Sequence, residues 1–278
     1  MSVAHSNVPD EVAYVNGRTR LFGIVGHPIE QVKSPELFGA EFERRGVNAL
    51  MLPLHVLPDE FDATIGGLMR LANLDGLVFT IPYKARAVPL AGKIGSNGTK
   101  VGAINALRRN TDGVWEGDIF DGIGCVEAFR RRGLGFKGKT VQILGAGGAG
   151  AAIAVAVAHE APARLRLFDP DAARAAELAA RVKRVDPAID TTTGPASADS
   201  ADILINASPI GMLGDARLPL PVEKLAAGLV VFDAVVKPEV TPLLKLARDG
   251  GCVAFGGREM MLGQISKMVD FFGYEAAR

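Results

Sequence analysis

Thr140-Val141-Gln142-Ile143-Leu144-Gly145-Ala146-Gly147-Gly148-Ala149-Gly150 is the stretch whose reading decides the fold. A short apolar run enters a glycine turn. An alanine-rich apolar segment, Ala151 to His159, follows with no proline until Pro162. The pattern reads as strand, tight turn, helix. Gly145, Gly147 and Gly150 supply the G-x-G-x-x-G spacing of a dinucleotide-binding turn. The first glycine makes the turn, the second lets backbone approach a pyrophosphate, and the third lets the helix pack close to the strand. The helix N-terminus then presents its N–H groups and positive dipole end to the phosphates. Ala146, Gly148 and Ala149 complete the expected cofactor loop.

Context strengthens what the glycines alone leave weak. A second alternating run, Arg164-Leu165-Arg166-Leu167-Phe168, ends at Asp169, 24 residues beyond Gly145. An acidic residue is expected roughly 20 residues on, where it holds the adenosine ribose. Asp169 is equally placed to cap the helix that starts near Asp171, but loop, spacing and strand together favour the cofactor role.

The chain has 278 residues, with 31 Lys+Arg against 31 Asp+Glu. That length suggests two domains, each able to bury a core. The charge balance points away from nucleic acid and anionic membranes. No apolar run reaches the roughly 18 residues that span a bilayer, and residues 1–18 read as a polar extension without the apolar core of a signal peptide. Cys125 and Cys252 stand far apart, and His5, His27, His55 and His159 lack metal-ligand spacing, so no metal is expected. These features suggest a cytoplasmic protein, monomer or homodimer, acting on a small molecule.

Along the chain, Leu21 to Gly26 reads as a buried strand, followed by a polar loop ending in Ser34-Pro35. Ser34 suits a helix cap or a ligand contact equally. Further strands are expected at Ala49 to Val56 and Gly76 to Thr80, with a helix from Asp59 to Leu71 between them. Tyr83-Lys84, just past the third strand, is expected at a helix start, where Lys84 either faces a cleft or is a solvated surface residue. Asn110-Thr111-Asp112-Gly113 is a hairpin signal. After Asp169, strands alternate with helices, which implies parallel pairing with right-handed crossovers. The last helix, Glu259 to Phe272, carries a methionine-rich stripe read as core. Gln264 lies within that stripe and needs a hydrogen-bond partner.

From about Leu21 onward the chain resembles the shikimate/quinate dehydrogenase family. The matching residues are Lys33-Ser34-Pro35, Thr80-Ile81-Pro82-Tyr83-Lys84, Gly102-Ala103-Ile104-Asn105, Gly117-Asp118 with Asp121-Gly122, the glycine loop, Asn206 to Met212, and Gly263-Gln264. The resemblance implies an α/β fold of two domains: a substrate domain with a small mostly parallel sheet over 19–120, and a Rossmann domain over 121–256. The last helix, 257–278, would return to the substrate domain. It implies Lys84 and Asp121 as the catalytic pair, with Asn105, Thr80 and Gln264 on ring hydroxyls and Ser34 on the substrate carboxylate. Ala207, Ser208 and Met212 would line the cofactor. The implied activity interconverts a ring secondary alcohol and its ketone with a nicotinamide dinucleotide. A nucleotide-binding sensor of the same fold with little catalysis is the alternative, which retention of Lys84, Asp121, Asn105 and Gln264 speaks against.

The chain departs from the family pattern in places. Val32 stands where a serine is usual, Ile119-Phe120 where Asn-Thr is usual, and Val236 where a tyrosine is usual. The serine and tyrosine belong to the carboxylate end of the substrate, so a remodelled end and an altered substrate are expected, set against compensation by a neighbouring group. Asp169-Pro170-Asp171 replaces the Asn-Arg-Thr of NADP-using members. With Arg174 read as a surface residue, this predicts NAD preferred over NADP.

Overall fold

The computed structural model of the chain describes residues 15–275. Residues 1–14 of the expected extension lie outside the described residues. Two sheets organise the rest. The first takes strands β1 (Arg20–Gly26), β2 (Ala49–His55), β3 (Leu74–Phe79), β4 (Lys93–Ile94), β5 (Ala106–Arg109) and β6 (Trp115–Asp118), in the order β2-β1-β3-β5-β6-β4. β1 pairs in parallel with β2 and β3, while β5 runs antiparallel to β3 and β6, and β4 lies parallel to β6. The β5–β6 connection is the expected hairpin, closed by Asn110 Oδ1 accepting from the Asp112 and Val114 amides at 3.0 and 2.9 Å.

Helices α1 (Ser34–Arg44), α2 (Phe61–Leu68) and α3 (Ser96–Val101) accompany this sheet. β1 is buried on both faces, which explains its unbroken apolar run. Phe22 and Ile24 join Phe38 and Phe42 of α1 on one side, and Val25 joins Phe61 and Ile65 of α2 on the other.

The chain crosses to the second sheet through α4 (Asp121–Arg131). The second sheet comprises β7 (Thr140–Leu144), β8 (Arg164–Phe168), β9 (Asp190–Thr193), β10 (Ile203–Asn206), β11 (Val230–Asp233) and β12 (Val253–Gly256). Helices α5 (Gly148–Ala158), α6 (Ala172–Val185) and α7 (Pro242–Asp249) connect them. The order is β12-β11-β10-β7-β8-β9 and every pairing is parallel. The chain winds outward in both directions from β7 and β10, so a crevice opens beyond their C-terminal ends. Val141, Ile143, Ile203 and Ile205 face α4 and α5, and Leu144, Leu204 and Val231 face α7.

The final helix, α8 (Gly257–Phe271), leaves β12 and returns to the first sheet, where Ile265, Met268 and Val269 pack with Phe22 and Phe38. It crosses α4 at backbone contact. A Cβ on Gly124 would lie 2.4 Å from the Met260 carbonyl oxygen, and one on Gly263 would lie 2.7 Å from the Gly124 carbonyl oxygen. Only glycine permits that approach.

One expectation is corrected and two elements are new. Tyr83 and Lys84 do not open a helix; they sit in a turn. Tyr83 is buried, with its hydroxyl donating to the Val56 carbonyl at 2.5 Å. β4 and α3 had no counterpart in the sequence reading. Among the described residues, no helix is long and apolar enough to cross a membrane. Among the same residues, no three His, Cys, Asp or Glu side chains gather as metal ligands would.

Candidate active site

The C-terminal ends of the central strands of both sheets open on one cavity of about 900 Å³. Lys84 enters it from the turn after β3 and Asp121 from the first residue of α4. Lys84 Nζ donates to Asp121 Oδ2 at 2.5 Å. The Asp121 carboxylate lies at a helix N-terminus, where the dipole favours negative charge. The lysine stem packs on the glycine loop: a Cβ on Gly148 would lie 3.2 Å from Lys84 Cβ. The pair therefore stands where the two halves of the chain meet.

Asn105 and Gln264 form a directed chain. The Phe120 amide donates to Asn105 Oδ1 at 2.9 Å, which leaves Asn105 Nδ2 to donate to Gln264 Oε1 at 3.2 Å. An amide nitrogen has no acceptor capacity, so this order orients both side chains. Gln264 is left with its Nε2 donors for the cavity. Ser34, at the start of α1, and Thr80, just past β3, line the same space. The sequence therefore placed Ser34, Thr80, Lys84, Asn105, Asp121 and Gln264 on separate elements, and the fold gathers them on one wall. Val32 and Val236 line the cavity too. Ile119 and Phe120 do not; they are buried in the cores beside it. Their departure from the family pattern is a matter of packing.

The second half supplies the other wall. Gly145, with φ +102°, Ala146, Gly147, Gly148 and Ala149 line the cavity, as do Asp169, Ala207, Ser208 and Met212. Gly150 does not. A Cβ there would lie 1.9 Å from the Gly145 carbonyl oxygen, so it serves the close packing of α5. Around Gly147 there is open space where a Cβ would stand. That leaves the N-terminus of α5 open to receive a pyrophosphate, so the residues fit a dinucleotide.

Asn206 shapes the loop beyond β10. Its Oδ1 accepts from the Ser208 amide and hydroxyl at 3.1 and 2.7 Å, and its Nδ2 donates to Asp233 Oδ1 at 3.0 Å. Asp233 also accepts from the Val235 amide at 3.0 Å and the Thr241 hydroxyl at 2.7 Å, which holds the Val235-Val236 segment against the cavity. Burial pushes the Asp233 carboxyl up to about 6, against the lowering effect of these donors.

Several lining residues carried no signal in the sequence. Gln31 is buried beside Val32, and Met260, Met261 and Met268 of α8 line the cavity as well as filling core. Arg174 and Arg181 of α6 also line the cavity; Arg174 is exposed and pairs with Asp171 at 3.5 Å, as expected of a surface residue.

A family model described as the shikimate dehydrogenase substrate binding domain matches residues 24–107. A shikimate dehydrogenase (NADP(+)) of Rubrobacter xylanophilus is 35% identical to this chain, covering 91% of it and 90% of the relative. The chain belongs to the shikimate dehydrogenase family. It is an NAD(P)-dependent oxidoreductase acting on CH–OH donors. Among solved structures, the shikimate 5-dehydrogenase of Listeria monocytogenes in complex with shikimate and NAD is 27% identical, with a TM-score of 0.82 and 94% of each chain covered. The ligand-free 5-ketofructose reductase of a Gluconobacter strain is 26% identical, with a TM-score of 0.81, covering 95% of this chain and 96% of its own.

The expected preference for NAD over NADP is corrected: the curated family members this chain matches are named as NADP(+) enzymes. The geometry shows why Asp169 misled. Its Oδ2 accepts from the Ala146 amide at 2.8 Å and its Oδ1 from the Asp171 amide at 3.0 Å. The carboxylate thus ties the glycine loop to the end of β8. Arg174 and Arg181 pair with Asp171 and Glu177, at 3.5 and 2.5 Å.

Proposed function

We propose that this chain interconverts a secondary alcohol and a ketone on a shikimate-like ring with NADP(H), and that its substrate differs from shikimate at the carboxylate end. The Lys84–Asp121 pair, packed on the glycine loop inside the shared cavity, is the observation that carries the reading. The glycine loop, Ala207, Ser208 and Met212 would hold the dinucleotide, with Arg174 and Arg181 at its adenosine end. The nicotinamide, when bound, supplies the hydride acceptor for oxidation and the donor for reduction.

In oxidation the carbinol carbon loses hydride, its oxygen loses a proton, and the C–O bond becomes a carbonyl. Lys84 Nζ takes that proton in its amine form and returns it in reduction. Asp121 holds the lysine in place. The Nε2 of Gln264, the amide of Asn105 and the hydroxyl of Thr80 bind ring hydroxyls, and Ser34 faces the far end of the ring. Residues 19–120 with 257–278 act as the substrate domain and 121–256 as the dinucleotide domain. α8 packs against α1 and, more extensively, against α4, so it joins the two domains.

Val32 and Val236 support a remodelled end. A carboxylate set against two valines forgoes charged hydrogen bonds worth about 1.5–3 kcal/mol each, or tens- to hundreds-fold in binding. The Gluconobacter relative's name, 5-ketofructose reductase, denotes a sugar substrate without a carboxylate. Lys237, next in the chain, is exposed at the rim of the cavity. Turnover with NADP should favour the shikimate analogue whose carboxylate is reduced to hydroxymethyl, by about tenfold or more in kcat/KM over shikimate. Equal or better efficiency on shikimate, lost in Lys237→Ala, would assign the carboxylate to that lysine and contradict the reading.

A further inference from the structure

Gln31 lies in the polar loop between β1 and α1 and takes no part in the machinery described above. It is 7% exposed and lines the cavity beside Val32, Ser34 and Phe38. Its Nε2 donates to the Pro28 carbonyl at 2.8 Å. Its Oε1 is buried, and no donor among the described residues reaches it. The amide cannot be reversed, because two oxygens would then face each other at Pro28. The orientation is therefore fixed, and the group left over is an acceptor.

Buried acceptors without donors are rare in folded proteins, and one on a residue that lines a ligand cavity points to the ligand. A carboxylate at neutral pH has no proton to give, and its charge would be repelled by the amide oxygen. A hydroxyl has a proton to give. The same wall carries Val32, and Val236 lines the same cavity; neither side chain can hydrogen-bond a carboxylate.

We propose that Gln31 is a specificity-determining residue, accepting a hydrogen bond from an uncharged hydroxyl at the end of the substrate where a carboxylate would otherwise sit. Oε1 itself has no exposed surface, so the hydroxyl reaches it only once the amide turns about its Pro28 bond. The inference rests on the reading of the cavity as a ring-alcohol site with a remodelled end, and it names the group that replaces the lost contacts.

The test compares three probes with NADP: shikimate, its methyl ester, and the analogue carrying hydroxymethyl in place of the carboxylate. The ester is uncharged but has no donor there, so it separates loss of charge from gain of a hydrogen bond. The native enzyme should prefer the hydroxymethyl analogue to the ester by about tenfold or more. Gln31→Met keeps the length and removes the acceptor. It should lower kcat/KM for the hydroxymethyl analogue about tenfold, chiefly through KM, while the ester changes less than about threefold. A merely structural role would lower all three alike. Gln31→Leu also removes the acceptor and serves if the methionine variant does not fold; it should show the same selective loss on the hydroxymethyl analogue. Equal losses across the probes, or no loss, would overturn the role of Gln31 while leaving the native preference intact. A native enzyme that prefers shikimate would overturn the underlying reading and the inference with it.

Discussion

Asp233 shows what a single buried carboxylate does to this fold. Burial raises its pKa to about 6, well above the roughly 3.9 of an unfolded chain. The native state thus favours the protonated form. Its contribution to stability is complete below the unfolded pKa and is lost as pH rises through about 6, amounting to roughly 2–3 kcal/mol. Asp233→Asn removes that dependence. The Thr241 hydroxyl can reverse to accept from the new amide, while Asn206 and the Val235 amide still donate to its oxygen. Chemical unfolding at several pH values should show the variant gaining on the native protein by about that amount between roughly pH 4 and pH 7. A constant difference across that window would show that folding does not shift the Asp233 pKa. The residue scale is also where sequence reading is weakest. Nothing in Glu30-Gln31-Val32 says which way the Gln31 amide turns, because the Pro28 carbonyl decides it. The ribose role expected of Asp169 likewise hinged on a side chain whose hydrogen bonds to the Ala146 and Asp171 amides only the folded loop reveals.

At the scale of elements, local pattern carried far. β7, the glycine turn and α5 were legible because apolar run, turn residues and helix all lie within one short stretch. The hairpin at Asn110 to Gly113 was legible for the same reason. β4 was not. It is two residues long and exists through its pairing of Lys93 with Glu116 and Ile94 with Gly117, partners far along the chain. α3 follows it and is held by Asp118, whose Oδ1 accepts from the Gly98 amide at 2.6 Å. The α4–α8 crossing depends on glycines whose reason is tertiary. Gly124→Ala should destabilise by about 1–3 kcal/mol, because the methyl would lie 2.4 Å from the Met260 carbonyl oxygen. Gly39, inside α1, has nothing within 4 Å of an added Cβ, and Gly39→Ala should stabilise by about 0.5–1 kcal/mol. Urea unfolding distinguishes them; equal effects would contradict the close crossing.

At the scale of the whole molecule, two sheets aim the C-terminal ends of their central strands into one cavity. The catalytic candidates come from both sides of it. Lys84 belongs to the first sheet, Asp121 opens the helix that leaves it, Gln264 returns on the last helix, and the glycine loop closes the far wall. No stretch of sequence holds more than two of these groups, so their convergence is a property of the fold. The family motifs anticipated it without showing the arrangement, and they said nothing of the buried glutamine beside them. The central claim is that Lys84 moves the proton of the reacting hydroxyl. The most direct measurement is single-turnover and steady-state kinetics of Lys84→Ala with NADP and the preferred ring alcohol, beside fluorescence titration with NADPH. Turnover should fall by at least roughly a hundredfold while NADPH binding stays within about threefold. Near-normal turnover in that variant would contradict the assignment.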